Sequence, residues 1–204
     1  MKYFAFRSKP GNVYPQSEKM ASELSIHEKN HLWNLDGELP SNVYIPDSIL
    51  HPKAEITDLI SSSPIMHPII SDKLKQILEK YRCQGVQYLP TNVIAKRRNL
   101  PYWLVNGFAR DSNFKESIIE IVHRQTDDSR IVDISAALAF ESAIKKAVYP
   151  EYIWIKKLVL LEDINQHLVL IDRFDHGKYL MSEVIKNEME AADCTGVRFD
   201  PIDS

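Results

Sequence analysis

Between Ile70 and Tyr81 the apolar residues Ile70, Leu74, Ile77, Leu78 and Tyr81 recur at spacings of three and four, with Lys73, Lys75, Gln76, Glu79 and Lys80 among them. That spacing predicts one apolar stripe along an amphipathic helix. Ser71 stands where an N-cap is needed, and Asp72 places a carboxylate in the first turn, where it favours the helix dipole. Gly85 supplies the positive φ that ends a helix at little cost, and Val86-Gln87-Tyr88 then alternates as a strand until Pro90. The product is helix, glycine turn, strand.

The same pattern is written a second time. Ile70 to Pro90 aligns without a gap on Met181 to Pro201, at an offset of 111 residues. Seven of the 21 aligned positions are identical: Ser71/Ser182, Lys75/Lys186, Glu79/Glu190, Cys83/Cys194, Gly85/Gly196, Val86/Val197 and Pro90/Pro201. Chance at average residue usage gives roughly one or two. In the second copy Ser182 caps, Glu183 replaces Asp72, and Val184, Ile185, Met189 and Ala192 form a thinner stripe before Gly196 and the strand Val197-Arg198-Phe199. Two copies are too few for a solenoid. The expected fold class is α+β, a sheet packed by amphipathic helices with two copies of the helix-Gly-strand unit at 70–90 and 181–201, forming a single domain over 1–204 or two half-domains near 1–110 and 111–204.

Elsewhere the pattern is mostly short. Lys2 to Arg7 predicts a first strand, Gln16 to Leu32 a weak helix or long loop, and Lys53 to Ile60 a short strand closed by Ser61-Ser62-Ser63-Pro64. Thr91 to Leu100 holds a basic loop, Lys96-Arg97-Arg98, before a strand over Pro101 to Phe108. Ile118 to Val122 fits helix or strand, Asp127-Asp128-Ser129 a turn, Ile131-Val132 a strand, and Ala136 to Val148 a helix stopped by Pro150. Tyr152 to Leu161 and His167 to Phe174 predict two strands paired as a hairpin through Glu162 to Gln166.

Composition adds little to this. The 204 residues are 44% hydrophobic and 26% charged, ordinary for a globular chain able to bury about 70 per cent of its unfolded surface. A net charge of −3 does not point to nucleic acid or anionic membrane as a partner. The opening MKYFAFRSKPG lacks the apolar core of a secretory signal, and no apolar run is long enough to span a bilayer, so a cytoplasmic location is expected. Cys83 and Cys194 are expected to be small apolar residues tucked beneath each helix end.

One stretch has the form of an enzyme motif, His27-Glu28-Lys29-Asn30-His31. On a helix, His27 and His31 would share a face and hold zinc, with Glu28 activating the bound water. The spacers are charged or polar, the flank from Ser17 to Glu28 is solvent-loving, and no third ligand is identifiable, which favours a solvated histidine-rich turn. No catalytic constellation, metal site or cofactor site is therefore assigned, and a zinc-dependent hydrolase using residues 27–31 is the alternative reading. Candidate partner contacts are the loop Lys96 to Asn99, the turn at Asp127 and Asp128, and the group Asp172, Arg173 and Asp175, each also readable as ordinary solvated surface.

The pattern "apolar-Ser-acidic, amphipathic helix, Gly-Val-x-aromatic-x-Pro" resembles the large immunity-protein family of bacterial polymorphic toxin systems, first named from a myxobacterial member and formerly a domain of unknown function. The resemblance extends over Trp33 and Gly37 in a W…G-E-L-P stretch, Asp58, the Ile70-Ser71 unit to Tyr88 and Pro90, Tyr102, Asp111 and Ser112, Asp172-Arg173-Phe174, and the unit from Ser182 to Pro201. Thr195-Gly196-Val197-Arg198-Phe199 followed by Pro201 is its most specific piece. It implies a non-enzymatic protein that binds and neutralises a cognate toxin, without cofactor, nucleic acid or membrane. A scaffold or regulatory module unrelated to toxins is a third reading.

Overall fold

The computed structural model describes residues 2–8, 38, 39, 43, 45, 47–50, 52–60, 68–81, 85–107, 114–123, 125–134, 151–160, 167–170 and 179–202. It is mixed α+β, mostly strands in three sheets with two short helices among the described residues. Two compact units make up the chain: Met1–Arg7 with Arg110–Lys186 and Phe199–Ser204, and Ser8–Ala109 with Asn187–Arg198. The weak helix or long loop expected at Gln16 to Leu32 and the helix predicted at Ala136 to Val148 lie outside the described residues.

The five-stranded sheet is built from β2 (Ser48–Ile49), β3 (Leu59–Ile60), β4 (Ile69–Ile70), β5 (Val86–Ala95) and β6 (Arg98–Gly107), in the order β2-β5-β6-β4-β3. Of the strand predicted at Lys53 to Ile60, only its last two residues pair, Leu59 with Ile70 and Ile60 with Ile69. Nor does β5 stop at Pro90. The proline lies opposite Trp103, where, among the described residues, β5 is paired on one side only, because β2 joins at Val93 and Ile94. A missing N–H costs nothing on an open edge.

The predicted basic loop is instead the tip of the β5–β6 hairpin. Ala95 pairs with Arg98, leaving Lys96 and Arg97 as the two turn residues, with φ of 50° and 65°. Two positive φ values match the right-handed twist of the flanking strands, which is why such turns favour Asn-Gly. A lysine and an arginine there cost roughly 1–2 kcal/mol each.

Helix α1 (Asp72–Glu79) starts as expected: the Ser71 hydroxyl accepts the Leu74 N–H, and Leu74, Ile77 and Leu78 are buried. Gly85 and Gly196 both have positive φ, 66° and 76°. Core packing at the tip end of the sheet joins Leu50, Ile60, Ile69, Val93, Ala95 and Tyr102.

The four-stranded sheet contains β1 (Tyr3–Ser8), β10 (Leu168–Leu170), β11 (Tyr179–Ser182) and β12 (Val197–Pro201), in the order β10-β11-β1-β12. Helix α2 (Glu183–Ala191) follows β11 directly. The third sheet has β7 (Phe114–His123) between β8 (Ser129–Ile134) and β9 (Glu151–Leu160). Among the described residues, the hairpin expected between Tyr152 to Leu161 and His167 to Phe174 does not form. β9 pairs with β7, while β10 pairs with β11. Apolar content identifies both strands as strands, but it carries no information on which neighbour each one takes.

Candidate functional site

Asp58, just before β3, bonds to a residue far along the chain, Thr195. Its Oδ2 accepts the Thr195 N–H at 2.8 Å and the Thr195 hydroxyl at 2.9 Å, and its Oδ1 accepts the Ser71 hydroxyl at 2.8 Å. Lys73 Nζ stands 3.2 Å from Oδ2. The Asp58 backbone takes part as well: its N–H donates to Thr195 Oγ1 at 3.1 Å and its carbonyl accepts the Ser71 N–H at 2.8 Å. Residue 58 thus ties the cap of α1 to the segment after α2.

Around this carboxylate the packing is tight. Thr57 is buried and donates its hydroxyl to the Leu59 carbonyl at 2.8 Å, while Tyr102 donates to the Thr57 carbonyl at 2.8 Å. Leu59 N–H in turn donates to the Thr195 carbonyl at 3.2 Å. Gly196 is closed in from this side. A Cβ there would sit 2.5 Å from the Leu59 carbonyl oxygen and 2.6 Å from Thr57 Oγ1. A second link uses Glu188, which takes hydrogen bonds from Lys80 and Tyr81. Lys73 Nζ also donates to the carbonyls of Ala192 and Asp193, each at 3.1 Å.

Electrostatics follow from these contacts. Burial alone would raise the Asp58 carboxyl, but the Thr195 N–H, the two hydroxyls and Lys73 outweigh it and hold the group below its ordinary value. The Tyr102 phenol is pushed up to about 12 by burial, with the negative Asp58 adding to the rise. Because the folded form favours the protonated phenol, its contribution is complete below the ordinary 10.0 and fades as pH rises through about 12. Tyr102→Phe is therefore expected to cost about 0.5–1.5 kcal/mol near neutral pH and to abolish this alkaline dependence, as checked by urea denaturation at a series of pH values.

Burial also raises the Cys194 thiol, against a lowering by Lys73. A half-buried thiol with a raised pKa is a poor nucleophile at neutral pH.

The node is fully hydrogen-bonded and has the chemistry of a clamp. Among the described residues no three His, Cys, Asp or Glu side chains gather as a metal site. His27, Glu28, His31, Asp172, Arg173, Asp175 and Cys83 lie outside the described residues. Lys96 to Asn99 are exposed at the hairpin tip, and Asp127 and Asp128 are exposed in the β7–β8 turn, where the His123 N–H donates to the Asp128 carbonyl at 2.9 Å. Among the described residues, Asp58 bonds to Ser71, Lys73 and Thr195, and Lys96 to Asn99 are not among its partners. The sequence reading marked Asp58, Ser71, Tyr102, Thr195 and Gly196 separately; the fold collects all five in one place. It missed Lys73 and Thr57, whose only sequence signal is proximity to marked neighbours.

No protein-family model matches the chain, and no match is found among curated proteins.

Proposed function

We propose that the chain is a non-enzymatic immunity protein that binds a cognate bacterial toxin in the cytoplasm and neutralises it. The observation that carries this reading is the convergence just described: five residues of the immunity-family pattern, scattered from Asp58 to Gly196, meet in a single hydrogen-bonded node. Motif residues that meet around a core explain why a pattern of caps, glycines and prolines is shared. They also imply that recognition of the toxin belongs to other, exposed residues.

The finer architecture belongs to the same proposal: two copies of one unit. Each copy has a short hairpin, β3–β4 or β10–β11, leading through a serine into its helix. The Ser71 N–H donates to the Asp58 carbonyl at 2.8 Å and the Ser182 N–H to the His167 carbonyl at 2.8 Å, and each serine hydroxyl meets the side chain of that same residue. A central strand then runs beside each hairpin, β6 in one copy and β1 in the other. Trp103 lies opposite Ile70 and Phe4 opposite Met181, so the two aromatics hold the same register position. Over them stand the equivalent lysines, Lys75 Nζ at 4.5 Å from the Trp103 ring centroid and Lys186 Nζ at 5.2 Å from that of Phe4.

Holding a lethal enzyme at low concentration requires an interface of at least about 1,200 Å² and tight binding. Co-expression with the toxin encoded beside its gene is expected to rescue growth, and the two proteins are expected to copurify. Failure of both with that toxin would sink the proposal.

A further inference from the structure

We infer that the tip of the β5–β6 hairpin, Lys96-Arg97-Arg98, is a contact surface for an acidic face of the protein partner. Four non-glycine residues have positive φ among the described residues: Lys96, Arg97, Asp127 and Asp193. Aspartate is at home in that region because its short polar side chain bonds locally; lysine and arginine gain nothing comparable. Asn-Gly would make the same turn more cheaply, so the cations are kept against the local preference of the backbone. Strain of this kind persists where surrounding structure enforces it, and it concentrates at functional sites.

The surroundings enforce it here. Val93, Ala95 and Tyr102 root the hairpin in a buried cluster, and the Leu50 N–H donates to the Ile94 carbonyl at 2.9 Å, fastening β2 along its edge. Beyond this anchored stem, Lys96, Arg97 and Arg98 are exposed. Among the described residues no ion pair involves any of the three, whereas Lys73, Lys75, Lys80, Arg130 and Lys156 each have a carboxylate. Three unneutralised cations on a rigid stem form a preorganised charge that loses little freedom on docking. The net charge of −3 favours a local acidic patch over a long polyanion, whose field the rest of the molecule would oppose.

This inference rests on the toxin-binding reading, and its test separates the two. The double variant Lys96→Asn/Arg97→Gly keeps the turn and removes its strain. It is expected to raise Tm by about 4 °C or more. Association with an inactive form of the toxin encoded beside the gene is expected to slow about tenfold at low salt, with rates converging to within about twofold at high salt. The triple variant Lys96→Glu/Arg97→Glu/Arg98→Glu should slow it further. Unchanged association of both variants, with wild type binding normally, overturns the inference alone; a wild type that captures no toxin overturns both readings. Loss of retention on a short DNA duplex, with toxin association unchanged, would assign the tip to a polyanion and overturn the inference too.

Discussion

Gly196→Ala is expected to cost about 2–5 kcal/mol of folding stability, the sum of a left-handed φ on a residue with a Cβ and of overpacking at a closed site. At φ +76° the new methyl would lie 2.5 Å from a backbone oxygen, Leu59 O, which cannot rotate away as a flexible side-chain end could. Relief requires moving either β3 or the Thr195-Gly196 turn, and both are fixed by the bonds to Asp58. Gly196→Asn tells the two contributions apart, since asparagine tolerates positive φ but carries the same Cβ. If contact dominates, asparagine recovers less than about 1 kcal/mol of the loss. Urea midpoints of the three proteins supply the comparison, and an alanine variant within about 0.5 kcal/mol of wild type would show that the site yields.

The second large effect is expected at Asp58. One oxygen takes three donors from Thr195 and Lys73, and the other takes the Ser71 hydroxyl. Asparagine has the same shape but no charge: with its oxygen toward Thr195 and Lys73 and its amide turned to the Ser71 hydroxyl, which can accept it, the three donors lose their charged partner. Asp58→Asn is expected to lose about 2–3 kcal/mol, the range for hydrogen bonds to a charged group left without their partner. The pH dependence has a definite sign. A carboxyl held below its ordinary value in the folded state contributes its full stabilisation above the ordinary aspartate pKa of 3.8 and loses it as pH falls through the lower folded value. Wild-type stability should therefore decline on acidification below about pH 4 more steeply than that of Asp58→Asn. Equal acid slopes would remove Asp58 from the account of acid stability.

What was legible in the sequence was local. A three-and-four spacing and a serine before it specify α1 through one capping bond to the Leu74 N–H, but the glycine after it does not end it. Helix α1 stops at Glu79 with Lys80 as a right-handed C-cap, and the positive φ of Gly85 comes later, just before β5. Strand pairing is different in kind. Tyr152 to Leu160 has the apolar content of a strand, but only the register with β7 decides its neighbour, and that register joins segments about thirty residues apart. The Lys96-Arg97 turn defeated local reading for the opposite reason: the residues argue against a two-residue hairpin, and the long ladder from Val86 to Gly107 overrides them. The Asp58 node was legible as separate marks and illegible as a site, because no local rule relates residue 58 to residue 195.

The strand order β10-β11-β1-β12 sets a schedule for synthesis. Tyr3 finds its partner in Ser182, 179 positions later (182 − 3), so β1 must wait for β11 to be made before that sheet can close. At about 5–20 residues per second, the wait on the ribosome is roughly 10–40 s. Throughout it Phe4, Ala5 and Phe6 have no sheet to enter, while the β5–β6 hairpin, complete by Gly107, folds from neighbouring residues. An N-terminal tag that binds β1 during this interval would compete with β11 and lower the soluble yield, whereas a C-terminal tag would leave that interval untouched.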